Sequence, residues 1–275
     1  MKLTINVKDF DLARTLDSGQ VFGFTKKEPG FYEGVIAGKR VKLSQKLELL
    51  QAETISSHSN GFRRKLRHYF DLDSDLQPIY EILFHEKAFE NCLKDVWGLR
   101  IIRQDSWEAL ACFIISSNNN VKRIQGIWRN LSSRLSHDKN SFPIPIEVAR
   151  THERILRELG LGYRAPYLLR TAQFVSANPG SLEGIRAAGY EEAKRKLLAF
   201  PGIGEKVADC VLLYGFQKYE AFPVDVWILR VMRKLFFNHR NVSEKQVHRF
   251  GQKRWGKHAG YVQQYLFHSA RLGLL

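Results

Sequence analysis

Cysteine is scarce in this chain: Cys92, Cys112 and Cys210 are the three in 275 residues, widely spaced and with no C-x-x-C pair. An odd number so arranged excludes a disulfide scaffold, gives no sign of a zinc site, iron–sulfur cluster or redox couple, and points to a reducing compartment. No run of about 18 apolar residues occurs, the length a membrane-crossing helix requires. The opening MKLTINVKDF alternates apolar and polar residues where a signal segment would be charged and then apolar. A soluble protein that stays where it is made is therefore expected. Internal repeats and low-complexity segments are also missing, and 44% hydrophobic with 26% charged residues excludes a disordered basic tail. The largest deficit is in negative charge: 28 acidic side chains face 43 basic ones, net +15, which asks for a polyanionic partner.

Residues 1 to about 75 read as short strands, LTINV (3–7), VFGFTKK (21–27), FYEGVIAG (31–38), RVKLS (40–44) and LELLQA (47–52), with Pro29-Gly30 and Gly38-Lys39 at turns. After Asp71 apolar residues recur every three or four positions, the helical period. Helices are expected over 78–94, 121–135, 147–159, 165–176, 190–199, 205–216, 226–237 and 260–272, with Asp105/Glu108 and Ser243/Gln246 opening two more as capping boxes. The fold class is thus α+β, a small N-terminal antiparallel β-sheet domain (1–75) packed on a mainly α-helical body (76–275). Residues 1–80 hold 13 basic and 10 acidic side chains, net +3, and 81–275 hold 30 and 18, net +12. The helical body owns the field that would attract a polyanion.

In YEEAKRKLLAFPGIGEKVADCVLLYGF (190–216) two helical patterns flank Pro201-Gly202-Ile203-Gly204. Gly202 and Gly204 permit a crowded turn, and the next helix points its unpaired N–H groups back at it, a place for a phosphate. With anchors at Leu197, Phe200, Ile203 and Val207, this is a helix–hairpin–helix pattern, a clamp for a DNA backbone. Lys206 reads on the bare sequence as an exposed lysine in a first helical turn, where the helix dipole disfavours a cation. A lysine attacks carbon only as the neutral amine. Desolvation and the helix end would favour that form, and a nearby carboxylate would oppose it. Asp225, between Pro223 and the pattern 226–237, reads as an N-cap.

FPGIGEKVADC (200–210) followed by FPVDV (222–226) resembles the helix–hairpin–helix DNA glycosylase superfamily, in which a lysine two residues after the second glycine marks the bifunctional branch. IISSNNNVKRI (114–124), GLGYRAPY (160–167), AGYVQQYLFHSA (259–270) and LDSGQVFGF (16–24) resemble, in order, the blocks of 8-oxoguanine DNA glycosylase/AP lyases. The resemblance implies excision of 8-oxoguanine, mainly opposite cytosine, by attack of Lys206 on C1′ of a flipped nucleotide, with Asp225 stabilising positive character at the sugar and assisting proton transfer, followed by β-elimination. It implies a base pocket of Gly19, whose carbonyl accepts the lesion's N7–H, Cys210 and Phe267, which sandwich the purine, and Gln263, which reads its Watson–Crick edge. It also implies orphan-cytosine and DNA contacts from Asn118, Arg123 and Arg164, with Tyr163 wedging the stack.

No cofactor and no metal is expected. The partner implied is double-stranded DNA containing oxidised guanine, met by a monomer, with no membrane association. Such a protein would work in the cytoplasm, on the nucleoid, of a prokaryote or in the nucleus of a eukaryote. Two departures stand out. Trp227 replaces the histidine that eukaryotic members carry two positions after the aspartate, and VFGF replaces their Phe-Arg-Trp text. The rival readings are a glycosylase of the same superfamily for another damaged base and a non-catalytic DNA-binding module.

Overall fold

The computed structural model describes residues 2–54, 61–90 and 92–275, and the architecture is α+β. Five antiparallel strands, β1 (Lys2–Asn6), β2 (Thr25–Glu28), β3 (Phe31–Ile36), β4 (Lys39–Lys46) and β5 (Leu49–Thr54), form one sheet in the order β1-β5-β4-β3-β2. Its hairpins close in tight register, with Ile36 opposite Lys39 and Lys46 opposite Leu49. The β3–β4 turn is Ala37-Gly38, one residue before the expected Gly38-Lys39, and Lys39 already belongs to β4. Alternation puts Ile5, Val41, Leu43, Leu50 and Ala52 on the inner face with Tyr32 and Ile36, where they pack with Leu12, Leu16, Phe62, Leu66 and Phe70.

Two short helices lie inside the stretch read as strands. The first, Leu12–Asp17, is capped by Asp11, whose carboxylate accepts from Arg14 N at 2.8 Å. The second, Phe62–Tyr69, buries Phe62 and Leu66 one turn apart. The expected strand 21–27 is also shortened to β2. Val21, Phe22 and Phe24 are buried but irregular, because this segment lies flat on the helical body. A Cβ on Gly23 would come within 2.9 Å of the Trp128 ring.

In the helical body, Val121–Leu135, Ala165–Ala177, Tyr190–Leu198, Glu205–Phe216, Val226–Phe236 and Ala259–Arg271 follow the periodicity closely. Asp105 accepts from Glu108 N at 2.9 Å and opens Ser106–Ser116. The Ser243/Gln246 capping box opens Glu244–Trp255. The expected helix 78–94 breaks into Gln77–His85, a 3₁₀ turn Lys87–Phe89 and Leu93–Val96, with Asn91 outside the described residues. Glu86 causes the break by leaving the helix in an extended conformation, so that its carboxylate accepts from Arg254 Nε at 2.6 Å and Trp255 Nε1 at 2.7 Å. The expected helix 147–159 likewise divides into Pro145–Ala149, Glu153–Leu156 and a π turn, Arg157–Leu161.

The sheet is joined to the body through residues 98–104. Buried Arg100 donates to the carbonyls of Lys8, Asp9, Asp71 and Ser74. Gln20 donates to Arg100 O at 2.8 Å and accepts from Ile102 N at 2.7 Å, while its own carbonyl accepts from Gln104 at 2.7 Å. Among the described residues no helix is long and apolar enough to cross a membrane.

Candidate active site

The hairpin is built as its sequence requires. Phe200 and Ile203 anchor it in the core, and Gly202 takes φ +78°, where a Cβ would overlap the Tyr167 ring. Gly204 is extended and caps Glu205–Phe216 without a side chain. A Cβ on Gly204 would meet nothing within 4 Å, so the turn is open on that side.

Behind this turn lies a buried polar cluster. Lys194, with 8% of its side chain exposed, contacts Asp209 Oδ2 at 3.0 Å and Glu205 Oε2 at 2.8 Å. Asp209 also accepts from Tyr190 OH and lies 3.1 Å from His248 Nε2. The cluster ties both hairpin helices to Glu244–Trp255 and holds Glu205, immediately before Lys206, and Asp209, three residues after it. Sequence reasoning missed it, although Lys194 interrupts the buried stripe Tyr190, Ala193, Leu197, a visible signal.

Lys206 occupies the first turn of its helix, half-buried, with Nζ 6.0 Å from the Phe113 ring centroid. Cys210 lies one turn on. Burial pushes its thiol up to about 11; the Lys206 charge and a hydrogen bond from it pull the other way, and the charges of Asp225 and Asp209 push further up. Lys206, Cys210 and Asp225 thus share one neighbourhood. Asp225 is the N-cap of Val226–Phe236, its Oδ1 accepting from Ile228 N at 2.8 Å. Gln263, 4% exposed, donates from Nε2 to Pro223 O at 3.0 Å, just before that cap, while its Oε1 is buried without a partner. Gly19 (φ +86°) sits against Phe267, whose Cε1 would lie 3.3 Å from a Cβ there. Gln264 donates to Ser18 O at 3.3 Å and pins this loop to the last helix. Gly19 and Phe267 form one group, Lys206, Cys210 and Asp225 another, and Gln263 reaches toward the second from the helix that carries Phe267.

The residues expected to meet the orphaned base divide differently. Asn118 is left-handed (φ 48°), Asn119 donates to Ile115 O at 3.1 Å, and Asn120 caps Val121–Leu135 by accepting from Arg123 N at 3.0 Å. All three asparagines therefore have local structural roles. Arg164 is 3% exposed and donates to the carbonyls of Ser117, Asn118 and Leu161. These bonds leave one Nη1 hydrogen of its five donors unspent. Tyr163 is 48% exposed, with its hydroxyl on Ser117 O at 3.2 Å, and Arg123 is exposed nearby. A cavity of about 1030 Å³ includes Lys206, Lys194, Asp209 and His248 in its lining, but not Asp225, Cys210, Gln263 or Phe267. It adjoins the back of the hairpin, and neither Gly19 nor Phe267 is among the residues that line it.

Comparison with known proteins agrees with this geometry. Residues 2–110 match the family model of the 8-oxoguanine DNA glycosylase N-terminal domain, and residues 111–257 match the HhH-GPD superfamily of base excision DNA repair proteins. A relative from Methanothermobacter thermautotrophicus, named "Probable N-glycosylase/DNA lyase", is 32% identical over 99% of this chain and 97% of its own length. The Saccharomyces cerevisiae N-glycosylase/DNA lyase is 29% identical, over 97% and 85%. The crystal structure of the Clostridium acetobutylicum 8-oxoguanine glycosylase/lyase with double-stranded DNA carrying cytosine opposite 8-oxoguanine superimposes with a TM-score of 0.91 at 31% identity, covering 100% of this chain and 99% of that one. The chain belongs to the 8-oxoguanine DNA glycosylase/AP lyase branch of the helix–hairpin–helix base excision repair superfamily.

Proposed function

We propose that this protein is a bifunctional glycosylase/AP lyase that flips 8-oxoguanine out of double-stranded DNA, mainly opposite cytosine, excises it and nicks the strand. The observation that carries the reading is Lys206 and Cys210 one helical turn apart behind a hairpin turn with no side-chain cap, with Asp225 near enough for its charge to bear on the Cys210 thiol. The turn holds a phosphate through backbone N–H groups. The neutral amine of Lys206 forms a bond to C1′ as the N9–C1′ bond breaks and its electron pair leaves with the base, which takes up a proton. The Asp225 carboxylate stabilises the positive character that develops at the sugar. Ring opening gives a Schiff base; loss of a C2′ proton then expels the 3′ phosphate oxygen.

Gly19, Phe267, Cys210 and Gln263 form the base pocket in this reading, and the partnerless Oε1 of Gln263 is an acceptor waiting for a donor on the purine. Asn118, Arg123 and Arg164 contact the orphaned cytosine in this reading and Tyr163 wedges the stack, with Arg164 also donating to Asn118 O. The division at residue 75 belongs to the same proposal and is supported by two buried clusters, one mostly within residues 5–72 and the other mostly beyond 76. An enzyme of this kind resides with the genome, in the cytoplasm of a prokaryote or the nucleus of a eukaryote.

The test is borohydride trapping on a duplex with one 8-oxoguanine opposite cytosine. Wild type is expected to give a covalent adduct and Lys206→Gln none. Base release that survives Lys206→Gln overturns the assignment of the nucleophile. An adduct only with a different lesion overturns the substrate.

A further inference from the structure

Gln263, Phe267 and Arg271 are spaced four apart on Ala259–Arg271 and form one stripe along that helix. The stripe runs from buried Gln263 through half-buried Phe267 to exposed Arg271. The Arg271 guanidinium carbon lies 5.6 Å from the Phe267 ring centroid. Nη1 sits where a Gly19 Cβ would come within 2.5 Å of it, on the side of Gly19 that Phe267 also borders. Its hydrogen bond is a long one, 3.4 Å to Asp17 O. The Asp17 carboxylate is engaged elsewhere, with Lys26 Nζ at 2.7 Å and Tyr32 OH at 2.9 Å. Among the described residues no carboxylate pairs with Arg271. A cation with five donors thus stands beside Gly19 and Phe267 with nearly all of them unspent.

We propose that Arg271 is a further specificity-determining residue, donating to the C8 carbonyl oxygen of the extruded purine from the pocket rim. The inference rests on the base-pocket reading above. In an oxidised purine the C8 oxygen is bonded next to N7, so a base whose N7–H meets the Gly19 carbonyl brings that oxygen to the donor beside Gly19. Guanine offers only C–H at C8 and leaves the guanidinium unsatisfied there. A site built to hydrogen-bond a substrate group discriminates strongly against analogues lacking it.

Arg271→Met keeps the apolar stem over Phe267 and removes the donors; Arg271→Lys restores one. Each is compared with wild type in single-turnover excision of 8-oxoguanine opposite cytosine, in affinity for a duplex carrying a tetrahydrofuran abasic analogue opposite cytosine, and in Tm. The expected result is at least tenfold slower excision in Arg271→Met, partial recovery in Arg271→Lys, and abasic-analogue affinity within twofold of wild type for both. An equal loss of abasic-analogue affinity, with a shallower salt dependence, would make Arg271 a phosphate contact and overturn the proposal. A fall in Tm with an unchanged excision rate would make it a packing residue and overturn it equally. Failure of wild type to excise 8-oxoguanine would instead strike the proposed function, which keeps the two failures distinguishable.

Discussion

Asp225 does two separable things, and its substitutions can be designed to split them. As an N-cap it accepts from Ile228 N at 2.8 Å, a bond that an asparagine oxygen can also accept. Asp and Asn rank alike as caps, so Asp225→Asn loses only the favourable charge at the helix N-terminus, about 0.3–1 kcal/mol. Asp225→Ala loses the cap as well, roughly 1–2 kcal/mol more. At roughly 2–4 °C per kcal/mol for a large domain, Asn lowers Tm by about 1–4 °C and Ala by about 3–12 °C. The chemical role depends on the negative charge, which both substitutions remove. A preorganised charged or hydrogen-bonding group facing a transition state is worth about 10²–10³ in rate. Both variants are therefore expected to excise 8-oxoguanine 10²–10³-fold more slowly under single turnover, on the order of that range, despite different Tm values. Calorimetry and single-turnover excision on the same preparations check this. Activity in Asp225→Asn within threefold of wild type, or activity losses that scale with the Tm losses, would refute the reasoning.

Two further predictions follow from local geometry. Glu108 is pushed up to about 7 by burial, opposed by the bond from Trp128 Nε1 and raised further by Asp105. Its folded value lies above the ordinary 4.5, so the unfolded chain releases this proton first and stability falls as pH rises from about 4.5 to about 7. The loss is at most about 3 kcal/mol, so Glu108→Gln, which keeps an acceptor for Trp128, is expected to be more stable than wild type at pH 8 and equal to it at pH 4 in denaturant titrations. At the hairpin, Gly204→Ala meets no protein atom and is expected to fold with an unchanged Tm, yet bind duplex DNA at least tenfold more weakly because its methyl blocks the approach of a phosphate. Gly202→Ala is expected to lose stability as well, about 1–2 kcal/mol for the left-handed backbone before the overlap with Tyr167 is counted.

Helices long enough to repeat their apolar stripe were legible from the sequence, and Val121–Leu135 and Glu205–Phe216 begin and end where the pattern does. Leu12–Asp17 was not, because six residues complete fewer than two turns and give no period to read. The break at Glu86 was hidden for a different reason: it is set by Arg254 and Trp255, nearly 170 positions away. At the candidate site, Lys206, Cys210 and Asp225 were singled out by the resemblance of FPGIGEKVADC and FPVDV, while spacing alone gave only Lys206 and Cys210 one helical turn apart and Asp225 at a helix start, an arrangement the structure keeps. The local roles of the Asn118–Asn120 run, a left-handed turn, a bond to Ile115 O and a helix cap, were only partly legible, because each depends on how the preceding helix ends. Arg271 lay beyond the sequence reading because its meaning depends on a loop some 250 residues earlier that folds back to place Gly19 beside it.

The Arg100 joint bears on how an enzyme of this design could change its taste. Gly19 hangs from the sheet side of that joint and Lys206 from the helical side, so the spacing between them is a gauge set by the Arg100 guanidinium on a row of carbonyls together with the Gln20 and Gln264 bonds that hold the Gly19 loop. Sliding the two sides apart would strand a buried cation, which keeps the gauge stiff. The strap 18–24 can then be rewritten, as VFGF already is relative to its eukaryotic kin, while the cutting machinery stays in alignment. That part of base preference carried by the strap becomes editable without moving the helix that bears Lys206.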